Sequence, residues 1–76
     1  MSNVIIYTAT GCSHCHEAKE FFREHGIQYT EINITEDKEA RREIMRKGVM
    51  SAPYIIVDGQ EYRSFDREQF EELFKK

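Results

Sequence analysis

Two kinds of apolar spacing alternate along the chain, and each predicts a different backbone. The run over residues 3–8, "NVIIYT", is rich in β-branched and aromatic side chains and shows no polar alternation, which suits a strand covered on both faces. From residue 13 to about residue 25 the period changes. Cys15, Ala18, Phe21 and Phe22 fall on one helical face, and Gly26 stands where a helix ends in left-handed backbone. A second strand is predicted over 27–34, with its apolar phase slipping between Tyr29 and Ile32. Thr35 is placed to cap a second helix that runs to about Lys47 and ends at Gly48. Residues 54–57 repeat the continuous apolar pattern, and an Asp58-Gly59 turn signal leads into a short edge strand over 61–63. The last helix starts near Asp66 and aligns Phe70, Leu73 and Phe74 in one narrow stripe.

The predicted order is therefore β-α-β-α-β-β-α. Two strands separated by a helix lie parallel through a right-handed crossover, and two strands joined by a tight turn form a hairpin. The result is an α/β fold of thioredoxin-like architecture: a four-stranded mixed sheet flanked by helices, with the first and third strands in the middle. With 76 residues and no linker, repeat or low-complexity segment, the chain reads as a single domain over 1–76.

Charge removes one class of partner. The chain carries 11 basic and 14 acidic residues, a net charge of -3, and a sequence pI near 5.6, which argues against nucleic acid. Lys38, Arg41, Arg42, Arg46 and Lys47 are interleaved with Glu36, Asp37, Glu39 and Glu43, the pattern of a solvated helix face laced with ion pairs. A sharper reading has Arg41 or Arg42 guide an anionic ligand. The first ten residues carry no basic leader and no signal-like apolar core, and nothing approaches the ~20 apolar residues of a membrane span. A soluble, cytoplasmic protein with no membrane partner is expected.

In that compartment thiols are kept reduced, so the only two cysteines, Cys12 and Cys15, are expected to be catalytic or metal-binding rather than structural. As a crosslink they would close four residues and contribute only roughly 2 kcal/mol before strain. The layout puts Cys12 at a strand-to-helix junction and Cys15 one turn into the helix. Unpaired N–H groups and the helix dipole favour an anion at the first position, so Cys12 should ionise below the ~8.5 of a free thiol. Cys12 is then the nucleophile and Cys15 the resolving thiol of a disulfide exchange. His14, between them, is a candidate for tuning the thiolate, while His16 and His25 read as surface residues.

A metal site is the alternative use of the pair, either an iron–sulfur or metal carrier module. Cys12, His14, Cys15 and His16 sit too close on one helix to converge on a tetrahedral zinc, and no second Cys-x-x-Cys exists. A copper-carrying βαββαβ module would not account for the element order or for Pro53. A cluster shared between two chains stays open. Pro53, the only proline, stands just before the third strand; in a thioredoxin-like chain the Ala52-Pro53 bond is expected to be cis, with the Ala52 main chain turned toward the cysteines.

These residues resemble the glutaredoxin family over essentially the whole chain. "NVIIYTATGCSHCHEAKEFF" is similar to its opening strand, loop, Cys-Pro-Tyr-Cys and helix, and "SAPYIIVDG" to its Thr-Val-Pro and following strand. The resemblance implies a dithiol-disulfide oxidoreductase, a monomer with no bound cofactor. Its substrates would be disulfide-containing proteins or glutathione mixed disulfides, and glutathione its co-substrate. It also implies substrate contacts at Gly11, Ala52, Pro53 and Asp66. The family's Lys two residues beyond the strand Tyr is Ala9 here, Ser13-His14 replaces Pro-Tyr, and Arg63-Ser64-Phe65-Asp66 replaces Gly-Gly-x-Asp. Arg63 either substitutes for the missing cation or blocks the site, and Asp66 is also a possible helix cap. Ribonucleotide-reductase-linked redoxins share the fold, lack the same contacts, and take electrons from a flavoprotein thioredoxin reductase. That reductase is the second candidate donor.

Overall fold

The first apolar run forms β1 (Val4–Thr8), and its side chains alternate between two covered faces. Val4, Ile6 and Thr8 are buried on one side, while Tyr7 packs into a separate cluster on the other. The computed structural model describes residues 3–75, so Met1, Ser2 and Lys76 of the expected 1–76 unit lie outside the described residues. Then follow α1 (Ser13–Glu24), β2 (Thr30–Asn33), α2 (Lys38–Arg46), β3 (Tyr54–Val57), β4 (Gln60–Tyr62) and α3 (Arg67–Leu73). The sheet order is β2-β1-β3-β4. β1 runs parallel to β2, antiparallel to β3, and β3 pairs with β4 as a hairpin. The two continuous apolar strands are the central ones, as their lack of alternation requires.

α1 and α3 cover one face of this sheet. Ala18, Phe21 and Phe22 of α1 and Phe70 of α3 pack with Val4, Ile6, Ile55 and Val57. α2 covers the other face, where Ile44, Val49 and Tyr54 form a smaller cluster against Tyr7, Ile34 and Ile56. Tyr54 is fully buried and its hydroxyl donates to the Glu61 carboxylate. Desolvation first, and then that hydrogen bond, push its phenol up to about 12.

Several boundaries differ from the apolar pattern, each for a local reason. β2 begins at Thr30 rather than residue 27, because the Ile27 N–H bonds back to the Phe22 carbonyl at 2.8 Å and finishes the end of α1. Gly26, at φ +66°, supplies the left-handed residue of that ending. Ile27 and Tyr29 pack against the α1–α3 cluster instead of entering the ladder. α2 is capped by Asp37, whose carboxylate accepts the Ala40 N–H at 3.0 Å. Thr35, expected to be that cap, instead turns its hydroxyl to the cysteine loop, where it accepts the Thr10 N–H at 3.1 Å. β4 ends at Tyr62, and the Arg63 guanidinium donates to the Lys47 carbonyl at 3.3 Å. Of the expected α3 stripe, Phe70 is buried and Phe74 half-buried, but Leu73 is 41% exposed.

Phe70 is where the α1–α3 layer closes, with the rings of Phe22, Tyr62 and Phe65 at 6.0, 5.2 and 5.2 Å. Phe70→Ala is expected to cost about 3–5 kcal/mol, a large share of the stability of so small a chain. Urea unfolding followed by circular dichroism measures it, and a loss under about 1 kcal/mol would show that α3 contributes little to the core.

Candidate active site

β1 delivers the chain to the rim of the sheet, and a tight turn converts it into α1. Gly11 takes φ +79°, a conformation that side chains disfavour, and the Cys12 N–H closes the turn on the Ala9 carbonyl at 3.2 Å. Cys12 is then the N-cap of α1, in extended backbone, and its Sγ accepts the N–H of Cys15 at 3.1 Å. Sulfur thus occupies the place usually taken by a Ser, Thr, Asp or Asn oxygen. No acidic residue lies in the first helical turn to offset the positive end of the dipole.

The two cysteines are unequal in exposure. Cys12 is half-buried, whereas Cys15 is 2% exposed and lies on the same helical face as Ala18 and Phe22. They are joined as a disulfide with 5.3 Å between Cα atoms. Both line an open cavity of about 370 Å³, which also meets Gly11, His16, Lys19 and, from the sheet, Thr8 and Glu31. Within the lining of that cavity the Thr8 hydroxyl donates to Glu31 Oε2 at 2.8 Å, and Lys19 Nζ donates to the same oxygen at 3.1 Å. The Thr8 hydrogen bond, the largest influence, holds the Glu31 carboxyl below the usual carboxylate range; burial, next in size, opposes it, and the hydrogen bond and charge of Lys19 add to the lowering.

A second cavity, of about 280 Å³, lies on the other side of Ala9. It is lined by Ile34, Thr35, Arg41, Met50, Ser51 and Ala52. The Ala52-Pro53 bond is cis, and Pro53 is buried. The pairing of Tyr7 with Tyr54 carries Pro53 and Ala52 to the end of β1 from which the cysteine loop departs. Ala52 therefore flanks the loop, although it does not line the cysteine cavity itself.

Other expected site residues are placed differently. His14 is exposed and outside the cysteine cavity; His16 is exposed, as read from sequence, and also lines that cavity. Asp66 is the N-cap of α3, accepting the N–H groups of Glu68 and Gln69. Arg63 is tethered to the end of α2, and the cation that reaches the second cavity is Arg41. Arg42 faces a separate surface depression with Glu39, Glu43 and Arg46. Sequence reasoning missed Thr8, Lys19 and Glu31. The available signals were a polar residue continuing the inward row of Val4 and Ile6, and a Lys four residues after Cys15. Among the described residues no three His, Cys, Asp or Glu side chains converge as a metal-ligating group, and no helix is long and apolar enough to cross a membrane.

The glutaredoxin family model matches residues 4–62. Glutaredoxin 3 of Escherichia coli (strain K12) is 38% identical over 61 residues, which cover 79% of this chain and 74% of that protein. The glutaredoxin-like protein NrdH of Lactococcus lactis subsp. cremoris (strain MG1363) is 32% identical over 62 residues, 82% of this chain and 86% of that one. Among solved structures, the NrdH-redoxin of Escherichia coli superposes with a TM-score of 0.86 over 97% of each chain at 23% identity, a likeness of the thioredoxin-like fold.

The depressed pKa of Glu31 fixes the sign of a stability effect. Its contribution is fully present above the unfolded value of about 4.3 and is lost as pH falls through the lower folded value. Urea midpoints measured from pH 7 down to pH 3 should therefore fall less steeply in Glu31→Gln than in the parent chain. Because the side chain is 35% exposed, the difference should be modest and should shrink in high salt.

Proposed function

The chain belongs to the glutaredoxin family and is a thiol-disulfide oxidoreductase working through its Cys12-Cys15 pair, and on that premise we propose how the labour is divided. Cys12 is the nucleophile and Cys15 the resolving thiol. The observation that carries this reading is the Cys12 sulfur at the N-cap of α1, accepting a backbone N–H, with Cys15 buried behind it. An N–H donor and a helix N-terminus stabilise negative charge on Cys12, and burial penalises it on Cys15.

The reaction follows as two exchanges. The Cys12 thiolate attacks one sulfur of the substrate disulfide, forming a mixed disulfide and expelling the first substrate thiolate. Cys15 then attacks the Cys12 sulfur, the Cys12-Cys15 bond forms, and the second substrate sulfur leaves with the proton Cys15 sheds. Two electrons pass from the dithiol to the substrate, and two external thiols return them, ending as a disulfide. Gly11 allows the close approach of substrate to Cys12. The Ala52 main chain, before Pro53, is the edge along which an extended substrate lies.

We place glutathione as the returning thiol, with the protein acting as a monomer in a reducing cytoplasm on disulfide-containing proteins or glutathione mixed disulfides. Arg41 supports that choice: it brings a cation to the cavity beside Ala9, where the family's usual Lys is missing, and it makes no ion pair among the described residues. Asp66 is spent on capping α3, so the glycyl carboxylate of the tripeptide is better provided for than the α-ammonium of its γ-glutamyl end. The likeness to NrdH supports the alternative donor, a flavoprotein thioredoxin reductase.

Turnover of a model disulfide with glutathione and its reductase, compared with turnover by thioredoxin reductase, decides between the donors; faster turnover with the second enzyme reverses our assignment. Cys12→Ser should abolish reduction, while Cys15→Ser should trap a mixed disulfide on Cys12. Full activity of both variants would end the division of roles. His14→Ala and His16→Ala should separate in their pH–rate profiles if His14 tunes the thiolate. In single-turnover reduction by pre-reduced protein, Arg41→Ala should raise the KM for the dianionic disulfide dithiobis(2-nitrobenzoate) about tenfold, roughly 1.4 kcal/mol. The neutral bis(2-hydroxyethyl) disulfide should be little affected, and Arg42→Ala should affect neither.

A further inference from the structure

The charges of α2 alternate in sequence but separate on folding. Ala40 and Ile44 turn to the sheet and are buried. At about 100° per residue, Arg41, Met45, Lys38, Arg42 and Arg46 then follow one another around about 140° of the outward side, with no acidic residue among them. Glu39 and Glu43 fall on the remaining flank, and all seven outward residues are exposed. The ion pairs that the interleaved sequence suggests do not form. Those of the described residues involve α1, β2 and α3, and none includes a cation of α2. Arg42 and Arg46 share a surface depression with Glu39 and Glu43 without closing on either carboxylate. A chain of net charge -3 thus keeps one cationic face whose charges are not paired internally.

The position of that face gives it a use. Its Arg41 border lines the cavity that also meets Ala9, Met50 and Ala52, so it begins where the proposed function lays an extended substrate. Met45 is 42% and Met50 79% exposed, which sets adaptable apolar surface beside the cations. At the end of the helix Arg63 brings a further guanidinium to the Lys47 carbonyl. Resting on the proposed reading of the site, we propose that the outer face of α2 is a docking surface for protein substrates whose disulfide is flanked by acidic residues. The substrate sulfur meets Cys12 while the adjoining carboxylates lie along Arg42 and Arg46. Those two residues are about 6 Å apart along the helix axis, which about two residues of extended chain span. A short acidic segment suits this face better than nucleic acid, because the acidic excess over the rest of the surface repels a long polyanion. Attraction of this kind speeds encounter rather than chemistry, and it weakens as salt rises.

The test uses reduced protein and peptides whose single cysteine, held as its 2-pyridyl disulfide, is flanked on both sides by Glu or by Gln. Release of neutral pyridine-2-thione gives the second-order rate constant. The Glu-flanked peptide should react about tenfold faster at about 0.05 M salt, and the ratio should fall below about two at about 0.5 M. Arg42→Gln with Arg46→Gln should remove the preference and leave the Gln-flanked rate within about twofold of the parent. Gln28→Glu with Gln60→Glu makes the same change in net charge at the end of the sheet away from the cysteine loop, and should keep the preference. Equal rates for the two peptides at low salt overturn the proposal. So does a preference that survives the arginine variant, or one lost equally in the glutamine variant, since net charge and not this face would then decide. The Gln-flanked peptide reports the sulfur chemistry alone, so a fault in the roles of Cys12 and Cys15 shows there, whereas a fault in the docking surface shows only in the ratio.

Discussion

The hydrogen bond from the Cys15 N–H to the Cys12 sulfur is the contact on which the site depends, because it makes a cysteine the first cap of a helix. A helix N-terminus has donors with no partner inside the helix, and satisfying one with sulfur couples the shape of α1 to charge on Cys12. The rest of the fold holds that junction still. Ala18, Phe21 and Phe22 seat α1 on the sheet. The bond between Thr10 N–H and the Thr35 hydroxyl ties the cysteine loop to the turn that follows β2. The sulfur is therefore only as mobile as a buried helix allows.

Ala9 separates two environments with different chemistry. On one side lie the sulfurs and the chain of polar groups from Thr8 through Glu31 to Lys19. On the other is a cleft with a cation, an exposed thioether at Met50 and the strand entrance at Ala52. Ala9 lines both cavities, and Arg41 is the cation among the residues lining the second.

The element order and the identity of the central strands were legible because a continuous apolar run has no stable place except between two covered faces. α1 was legible from Cys15, Ala18, Phe21 and Phe22, which share a face and are buried together. The start of β2 was not, since Ile27 and Tyr29 are apolar whether they enter a ladder or pad a helix end. Thr35 and Asp37 are both competent caps, and only the tertiary partner Thr10 decides between them. His14 and His16 sit about 200° apart around a helix, and Arg41 and Arg42 about 100°; sequence proximity hid which of each pair lines a cavity that Ala9 also lines. The Thr8–Glu31–Lys19 group joins residues 12 and 23 positions apart, a convergence that no local pattern encodes.

The sheet's two borders bear on how the molecule lives among its own copies. β2 and β4 are the border strands, only 4 and 3 residues long, and each carries an exposed carboxylate, Glu31 or Glu61. Short, charged borders are poor templates for a neighbouring chain's backbone. A thiol-disulfide oxidoreductase with such borders can thus be crowded without stacking into fibrils.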